Sequence, residues 1–515
     1  MQNWMGAQKT VDAVSLLRDA HDIIAELPPD DAVAAVRQIT DALSAINGAD
    51  ALTLEERYDD ICLLDAATVE RTRLLLREYL NTSRHTKQRE SDLWNGAYGC
   101  WRELATAYAL CVQRYADDTA AAAGFQKLAQ ISAARAMRAL RRQLQWLRIR
   151  YVPPVPAIWE GLASLYVYIE SEDIEAEMLI YPGESTSIKR EFLKTLALGV
   201  LTSDNLMPPQ QDLATYIVNR YANAFVLSQT PDAGCTHCFD LQHPHAPATI
   251  GHDVQPGADV RYFGAGAAIA SLEEALRIIE QKQEVPADLG FTKPIELAYL
   301  TPVLTQIHLD WAGKTPERRH ARETTNARVS VVPGFHEIVD FLDQSVADPF
   351  DFTIRGTAES WIARDISPDG FGVVMPAVSG DWVTVGSVLG IEIEAAGEWS
   401  VGLVRRVRRI EDGQQHIGVQ VLCRYAQAVR VMRESPLSGN VRITQRMPID
   451  RGLLLTADAA HQKEIDVLVS DAALYGAGNV HVLTDDSALL VKLREVLEVT
   501  ADCTRISFTV LSAES

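Results

Sequence analysis

A chain of 515 residues is too long for one hydrophobic core and predicts roughly three domains at about 150 residues each. With 47% hydrophobic and 23% charged residues, it is not a wholly disordered, collagenous or disulfide-scaffold chain. Its 48 Lys and Arg against 69 Asp and Glu leave a formal charge of -21, which repels nucleic acid and acidic membrane unless cations are concentrated locally, so no DNA partner is expected. The longest strongly apolar stretches, such as Thr195 to Leu201, fall far short of the roughly 18 residues of a bilayer-spanning helix. Met1 to Ala13 lacks the charged and apolar regions of a signal peptide, and a cytoplasmic protein is expected. Seven scattered cysteines (Cys62, Cys100, Cys111, Cys235, Cys238, Cys423, Cys503) are an odd number with no framework spacing and suit a reducing compartment.

From Val11 to Tyr151 apolar residues recur at helical spacing. Thr53 and Glu56 have the spacing of a capping box that opens a long helix through Leu64, Val69 and Leu76. A second helix carries Trp94, Tyr98, Trp101 and Tyr108. A third runs from about Ala120 to Arg150 and stops before Pro153 and Pro154, which cannot continue it. Further helices follow, one opened by a capping box at Ser271 to Glu274, with short extended pieces near Phe239 to Leu241 and Val260 to Phe263.

After Thr301 the texture changes. Pro302, Gly313, Lys314 and Pro316 mark a linker, and from Arg328 onward apolar residues alternate with period two between turn signals at Asp369-Gly370, Ser379-Gly380 and Asp412-Gly413. Closely spaced strands of this kind predict a small antiparallel barrel ending near Arg430. Beyond it come further strand-like runs and a predicted helix near Ser487 to Leu497. The expected fold is a multidomain α+β protein: a helical domain at 1-152, a mostly helical domain with short strands at 153-300, a linker at 301-316, a barrel at 317-430 and a small β-rich module at 431-515.

Four clusters carry chemistry. Arg318 and Arg322, with Arg319 between them, form an Arg-x-x-x-Arg pair just before the β-rich region. Guanidiniums can contact phosphate and the O6/N7 edge of guanine bidentately. By itself the spacing reads as a solvated charge cluster, because Arg73/Arg77, Arg138/Arg142, Arg405/Arg409 and Arg442/Arg446 share it. Asp365-Ile366-Ser367-Pro368-Asp369-Gly370 is an Asp-x-Ser-x-x-Gly turn, which alone reads as an ordinary hairpin connection. Cys235, Cys238, His243, His245 and His252 could together supply zinc ligands. Their spacing is too compressed for a common finger, so they read as uncoordinated and no metal is assigned. Arg135, Arg138, Arg141, Arg142, Arg148 and Arg150 lie on a stretch with no acid from Ile131 to Tyr151. They read either as a docking face for an acidic partner or nucleic acid or, more often for such a run, as a solvated face paired with acidic neighbours in the same array.

The order of the first two motifs, followed by Trp399-Ser400-Val401-Gly402-Leu403-Val404-Arg405 and His416-Ile417-Gly418-Val419-Gln420-Val421, resembles the PilZ domain, a bacterial receptor module for cyclic di-GMP. The resemblance covers about Glu317 to Arg430. It implies a six-stranded antiparallel β-barrel on which Arg318 and Arg322 hold phosphate and guanine while Asp365, Ser367 and Gly370 surround a guanine. The stretch from Glu323 to Arg364 is longer than is usual in the family, and Pro333 to Ser345 within it looks like an inserted helix.

No Gly-x-Ser-x-Gly elbow, Walker-type loop or His-Glu-x-x-His helix is present, and the resemblance implies a receptor without turnover and without a cofactor. The leading expectation is a signalling effector in which cyclic di-GMP at the barrel controls a helical region that engages a protein partner. The alternatives are a scaffold whose barrel no longer binds ligand and, more remotely, a metal-dependent enzyme centred on Cys235 to His252.

Overall fold

The computed structural model describes residues 19-81, 86-117, 123-170, 172-251, 257-314, 322-345, 358-377, 382-393, 399-410, 413-433, 450-456, 459-470, 479-484, 487-500 and 502-514. The chain divides into two compact units. The first comprises residues 1-203, 208-294 and 303-316, and the second comprises 204-207, 295-302 and 317-515.

The first unit opens with helices α1 (Ala20–Ala25), α2 (Ala32–Gly48), α3 (Leu54–Asn81), α4 (Lys87–Asp117), α5 (Gln126–Ile149) and α6 (Pro156–Ile169). At the start of α3 the Glu56 amide donates to Thr53 Oγ1 at 3.2 Å and the Thr53 amide donates to Glu56 Oε2 at 3.0 Å. This reciprocal pair satisfies two amides that a helix start would leave without partners. The hairpin β1 (Met178–Tyr181) and β2 (Glu184–Thr186) leads into α7 (Ile188–Gly199) and α8 (Pro208–Arg220). A four-stranded sheet follows in the order β3 (Val226–Ser228), β6 (Val260–Gly264), β4 (His237–Asp240) and β5 (Ala248–Thr249).

Helix α9 (Ala268–Lys282) starts earlier than its expected capping box. Ser271 lies inside the helix and its hydroxyl bonds back to the Ala267 carbonyl, so the Ser271 to Glu274 spacing is not a cap. Helix α10 (Leu297–Trp311) replaces most of the expected linker at 301-316. Pro302 is its sixth residue, and the division between the two units falls directly after that proline. Gly313, with φ +67, ends α10 in the left-handed conformation that glycine adopts without a Cβ clash.

Helix α5 packs against α4, α6, α7 and α8, which explains why its arginines are not solvated. Arg138, Arg141 and Arg148 are buried. Their partners lie inside the unit: Glu184 sits 2.6 Å from Arg138, Glu191 sits 3.5 Å from Arg141, and Arg148 donates to the Leu201 carbonyl at 2.6 Å. Arg135 donates to the Tyr108 hydroxyl at 2.7 Å, and Arg150 lies 3.1 Å from Glu90. The docking face is corrected, and so is the solvation of the other reading, because Arg138, Arg141 and Arg148 are buried; its expected pairing with acidic neighbours of the same array is what Glu184, Glu191 and Glu90 provide. The sequence gives no sign of this because the partners are 27 to 60 residues away along the chain.

The second unit contains β7 (Glu323–Thr324), β8 (Arg328–Pro333), α11 (Phe335–Ser345), β9 (Glu359–Ser367), β10 (Gly370–Met375), β11 (Val388–Ile393), β12 (Trp399–Arg409) and β13 (Gln415–Cys423). The order β10-β13-β12-β11-β8-β9 closes through the β9–β10 hairpin into an antiparallel six-stranded barrel, with β7 added beside β9. Val331, Trp361, Met375, Val404 and Val407 are buried residues of this first barrel. Helix α11 falls where the inserted helix at Pro333 to Ser345 is expected.

A second closed barrel follows in the order β14 (Gln427–Arg433), β15 (Asp450–Leu454), β16 (Glu464–Val469), β19 (Thr504–Glu514), β18 (Ala488–Val499) and β17 (Asn479–Leu483). It begins at Gln427, a few residues before the expected boundary at 430/431. Strand β18 stands where a helix was expected at Ser487 to Leu497. Three register irregularities against β19 interrupt its alternation, which leaves an apolar spacing that imitates a helix.

Candidate functional site

The Asp-x-Ser-x-x-Gly motif spans the β9–β10 hairpin. Strand β7 carries the chain in from the arginine segment and pairs Glu323 with Ile366 and Thr324 with Asp365. That register places Arg322, the residue before β7, beside the turn. Its Nη1 donates to Asp365 Oδ1 at 2.6 Å, with both side chains partly exposed. The arginine segment and the turn, 43 residues apart along the chain, therefore meet through a short strand addition. Arg318 and Arg319 lie outside the described residues.

Within the turn the Ser367 hydroxyl donates to the Gly370 carbonyl at 3.2 Å, and the Val421 amide donates to the Asp369 carbonyl at 2.9 Å. Gly370 faces Ser367 on β9 and Gln420 on β13, and Gly372 faces Asp365 and Gly418. Directly opposed residues share a sheet face, so Asp365, Ser367, Gly370, Gly372, Gly418 and Gln420 lie on one side of the barrel wall. Phe371, Val373 and Met375 point to the other side and are buried, which makes the motif side the outer one.

The two glycines of β10 have separate causes. A Cβ on Gly370 would stand 2.1 Å from the Val419 carbonyl oxygen, so this position is closed by β13 backbone. A Cβ on Gly372 would stand 2.5 Å from Asp365 Oδ2, so Gly372 leaves the room in which the Asp365 carboxylate sits. Gly372 was not among the residues singled out in the sequence, because its role depends on Asp365 of the neighbouring strand.

Across Gly370 the same face continues to two more polar side chains. Arg405 on β12 donates from Nε to Gln420 Oε1 at 2.7 Å. Its other nitrogens reach Glu498 on β18, with Nη2 donating to Oε2 at 2.9 Å. Arg405 appeared in the sequence only as one of several pairs that diluted the Arg-x-x-x-Arg signal. The face thus offers a carboxylate and a hydroxyl that accept from a purine N–H edge, glycine floor between them, and guanidiniums on either side for anionic oxygens.

The described members of the Cys/His cluster are not drawn into one site. Cys238 directs its thiol at the Ala248 carbonyl at 3.6 Å, His243 lies 3.5 Å from Asp240, and His245 bonds the His243 carbonyl at 2.6 Å. Burial drives His237, between the two cysteines, down to about 4. His252 lies outside the described residues, and among those described no group of three or more His, Cys, Asp or Glu side chains is placed to hold a metal ion. No helix among the described residues is long and apolar enough to cross a membrane.

Two family models match this chain. One, described as the cyclic-di-GMP receptor FimW, N-terminal domain, matches residues 18–232. The other, described as the cyclic-di-GMP receptor FimW, middle PilZ domain, matches residues 360–428 and so leaves the arginine segment outside it. Together they span more than half of the chain. No curated protein and no solved structure matches it.

Proposed function

Since the chain belongs to the cyclic-di-GMP receptor FimW family, we propose that it binds cyclic di-GMP on the outer face of its first barrel and acts as a signalling effector in the bacterial cytoplasm. The observation that carries the reading is the contact between Arg322 and Asp365, which joins the two motifs at one end of one hairpin. Arg318, Arg319 and Arg322 hold the phosphates and a guanine O6/N7 edge, a task suited to the planar guanidinium fork. Asp365 accepts from the N–H edge of a guanine, and Ser367 and Gly370 shape the turn beside it. The pair with Asp365 keeps the Arg322 guanidinium beside the turn, which pre-organises a cation for a phosphate of the dinucleotide. The helical unit, which carries the family's N-terminal domain, engages a protein partner according to the ligand state of the barrel. Nothing in this mechanism requires turnover.

Isothermal titration of the intact protein with cyclic di-GMP tests the reading. Saturable binding is expected, and Arg322→Ala is expected to abolish it while circular dichroism stays unchanged, because a partly exposed arginine contributes little to the core. Binding as tight in Arg322→Ala as in the parent overturns the assignment.

A further inference from the structure

Arg405 lies on the ligand face and also at the contact between the two barrels. On one side its Nε is held by Gln420, whose Cα partner across the β10–β13 ladder is Gly370 of the turn motif. On the other side its terminal nitrogens form a forked ion pair with Glu498 of β18, in the second barrel. The β12–β13 ladder is irregular between Val404 and Arg406, which is the step that carries Arg405. Such an irregularity re-aims a side chain that regular alternation would point elsewhere.

We propose that Arg405 is a shared residue of the site: it pairs with Glu498 when the Gly370 face is empty and turns to a phosphate of the dinucleotide when that face is filled. This inference rests on the ligand reading above and adds a residue and a consequence to it. The Arg405–Glu498 pair is partly exposed, with side-chain exposures of 40% and 23%, so water screens it and its net contribution is small. A phosphate diester offers Arg405 a second forked partner of the same charge type, and the ligand brings it to the face at high effective concentration. Because one guanidinium cannot satisfy both anions fully, ligand binding and the barrel-to-barrel ion pair oppose each other. By linkage each must weaken the other by the same factor.

Titration calorimetry of full-length parent, Glu498→Gln, Arg405→Ala and the double variant with cyclic di-GMP decides the matter. Glu498→Gln removes the competing carboxylate and is expected to bind several-fold more tightly, while Arg405→Ala is expected to bind about tenfold more weakly. In the Arg405→Ala background, Glu498→Gln is expected to change nothing, a non-additivity that a purely structural ion pair would not produce. If Arg405→Ala fails to fold, Arg405→Lys replaces it, with an intermediate loss expected. Unchanged affinity in Glu498→Gln, or the same gain with and without Arg405, overturns the competition while leaving the receptor reading intact. A parent that binds no cyclic di-GMP overturns both.

Discussion

At the scale of single residues, the proposed site combines side chains assigned to a ligand with others demanded by the barrel itself. Gly370 belongs to the second kind as much as to the first, because a Cβ there meets the Val419 carbonyl oxygen at 2.1 Å. Gly370→Ala is therefore expected to destabilise the barrel by about 1–3 kcal/mol, as overpacking does, and to lower the midpoint of urea unfolding. A midpoint equal to the parent's would mean that β10 and β13 can separate without cost. Arg318 is of the ligand kind in the proposed function. Against a net charge of -21 the global field disfavours an anion, so affinity must rest on local guanidinium geometry. Arg318→Lys keeps the charge and loses the fork, and is expected to bind at least about tenfold more weakly, a loss of roughly 1.4 kcal/mol. Equal affinities at matched salt would show that diffuse charge holds the ligand. These motif residues were readable because residue type and spacing carry the chemistry. Gly372 and Gln420 were not, because their roles depend on which strand lies alongside.

At the scale of elements, helix α5 and strand β18 show how local pattern and environment part company. The arginines of α5 are interior cations matched by Glu184, Glu191 and Asp65 from other elements. Glu191 is fully enclosed, paired with Lys194 and Arg141 and hydrogen-bonded by Thr186 at 2.8 Å. Burial by itself would raise its pKa, but the two cations overcome that and bring it from 4.5 down to about 2. A carboxylate with a depressed folded pKa contributes stability that is complete above its unfolded value and is lost as pH falls through the folded one. Between about pH 4.5 and pH 2 the stability of the first unit is therefore expected to fall, and in Glu191→Gln that slope should be shallower by about one proton. An acid limb identical to the parent's would remove Glu191 from the account. Glu191→Ala, which strands two buried cations, is expected to cost about 3–5 kcal/mol by denaturant unfolding. Strand β18 was misread for a different reason: its irregular pairing with β19 breaks the period of two on which a strand is recognised.

At the scale of the whole molecule, the two barrels of the second unit share apolar packing. Val332, Val388, Val401 and Leu403 of the first barrel cluster with Leu453, Leu468 and Cys503 of the second, and with Phe335, Ile338 and Val339 of α11. Arg451 of β15 adds an ion pair to Asp343 of α11 at 3.0 Å. The inserted helix thus has a structural task, which is to cover the seam between barrels. Leu453 is fully buried in that seam, so Leu453→Ala is expected to cost about 2–5 kcal/mol. It should also lower amide-exchange protection in β11 and β12 as well as in β15 and β16. Loss of protection confined to β15 and β16 would show that the barrels open independently.

The sequence by itself determined the class and the address. Helical periodicity, then alternation, established an α-rich first half and a β-rich second half, and two short motifs in order pointed to the PilZ module that the family match bears out. Those signals are local, set by steric and hydrogen-bonding preferences of neighbouring residues, and they survive without knowledge of the fold. Tertiary structure decided the rest. Only packing shows that the cations of α5 are interior, that residues 297-311 form a helix where a linker was expected, and that the C-terminal module closes as a second six-stranded barrel. It alone brings Arg322 to Asp365, and Arg405 to both Gln420 and Glu498. The reason is distance along the chain: each of these contacts joins residues 15 to 93 positions apart, and such pairings depend on strand register and burial that no short window of sequence contains.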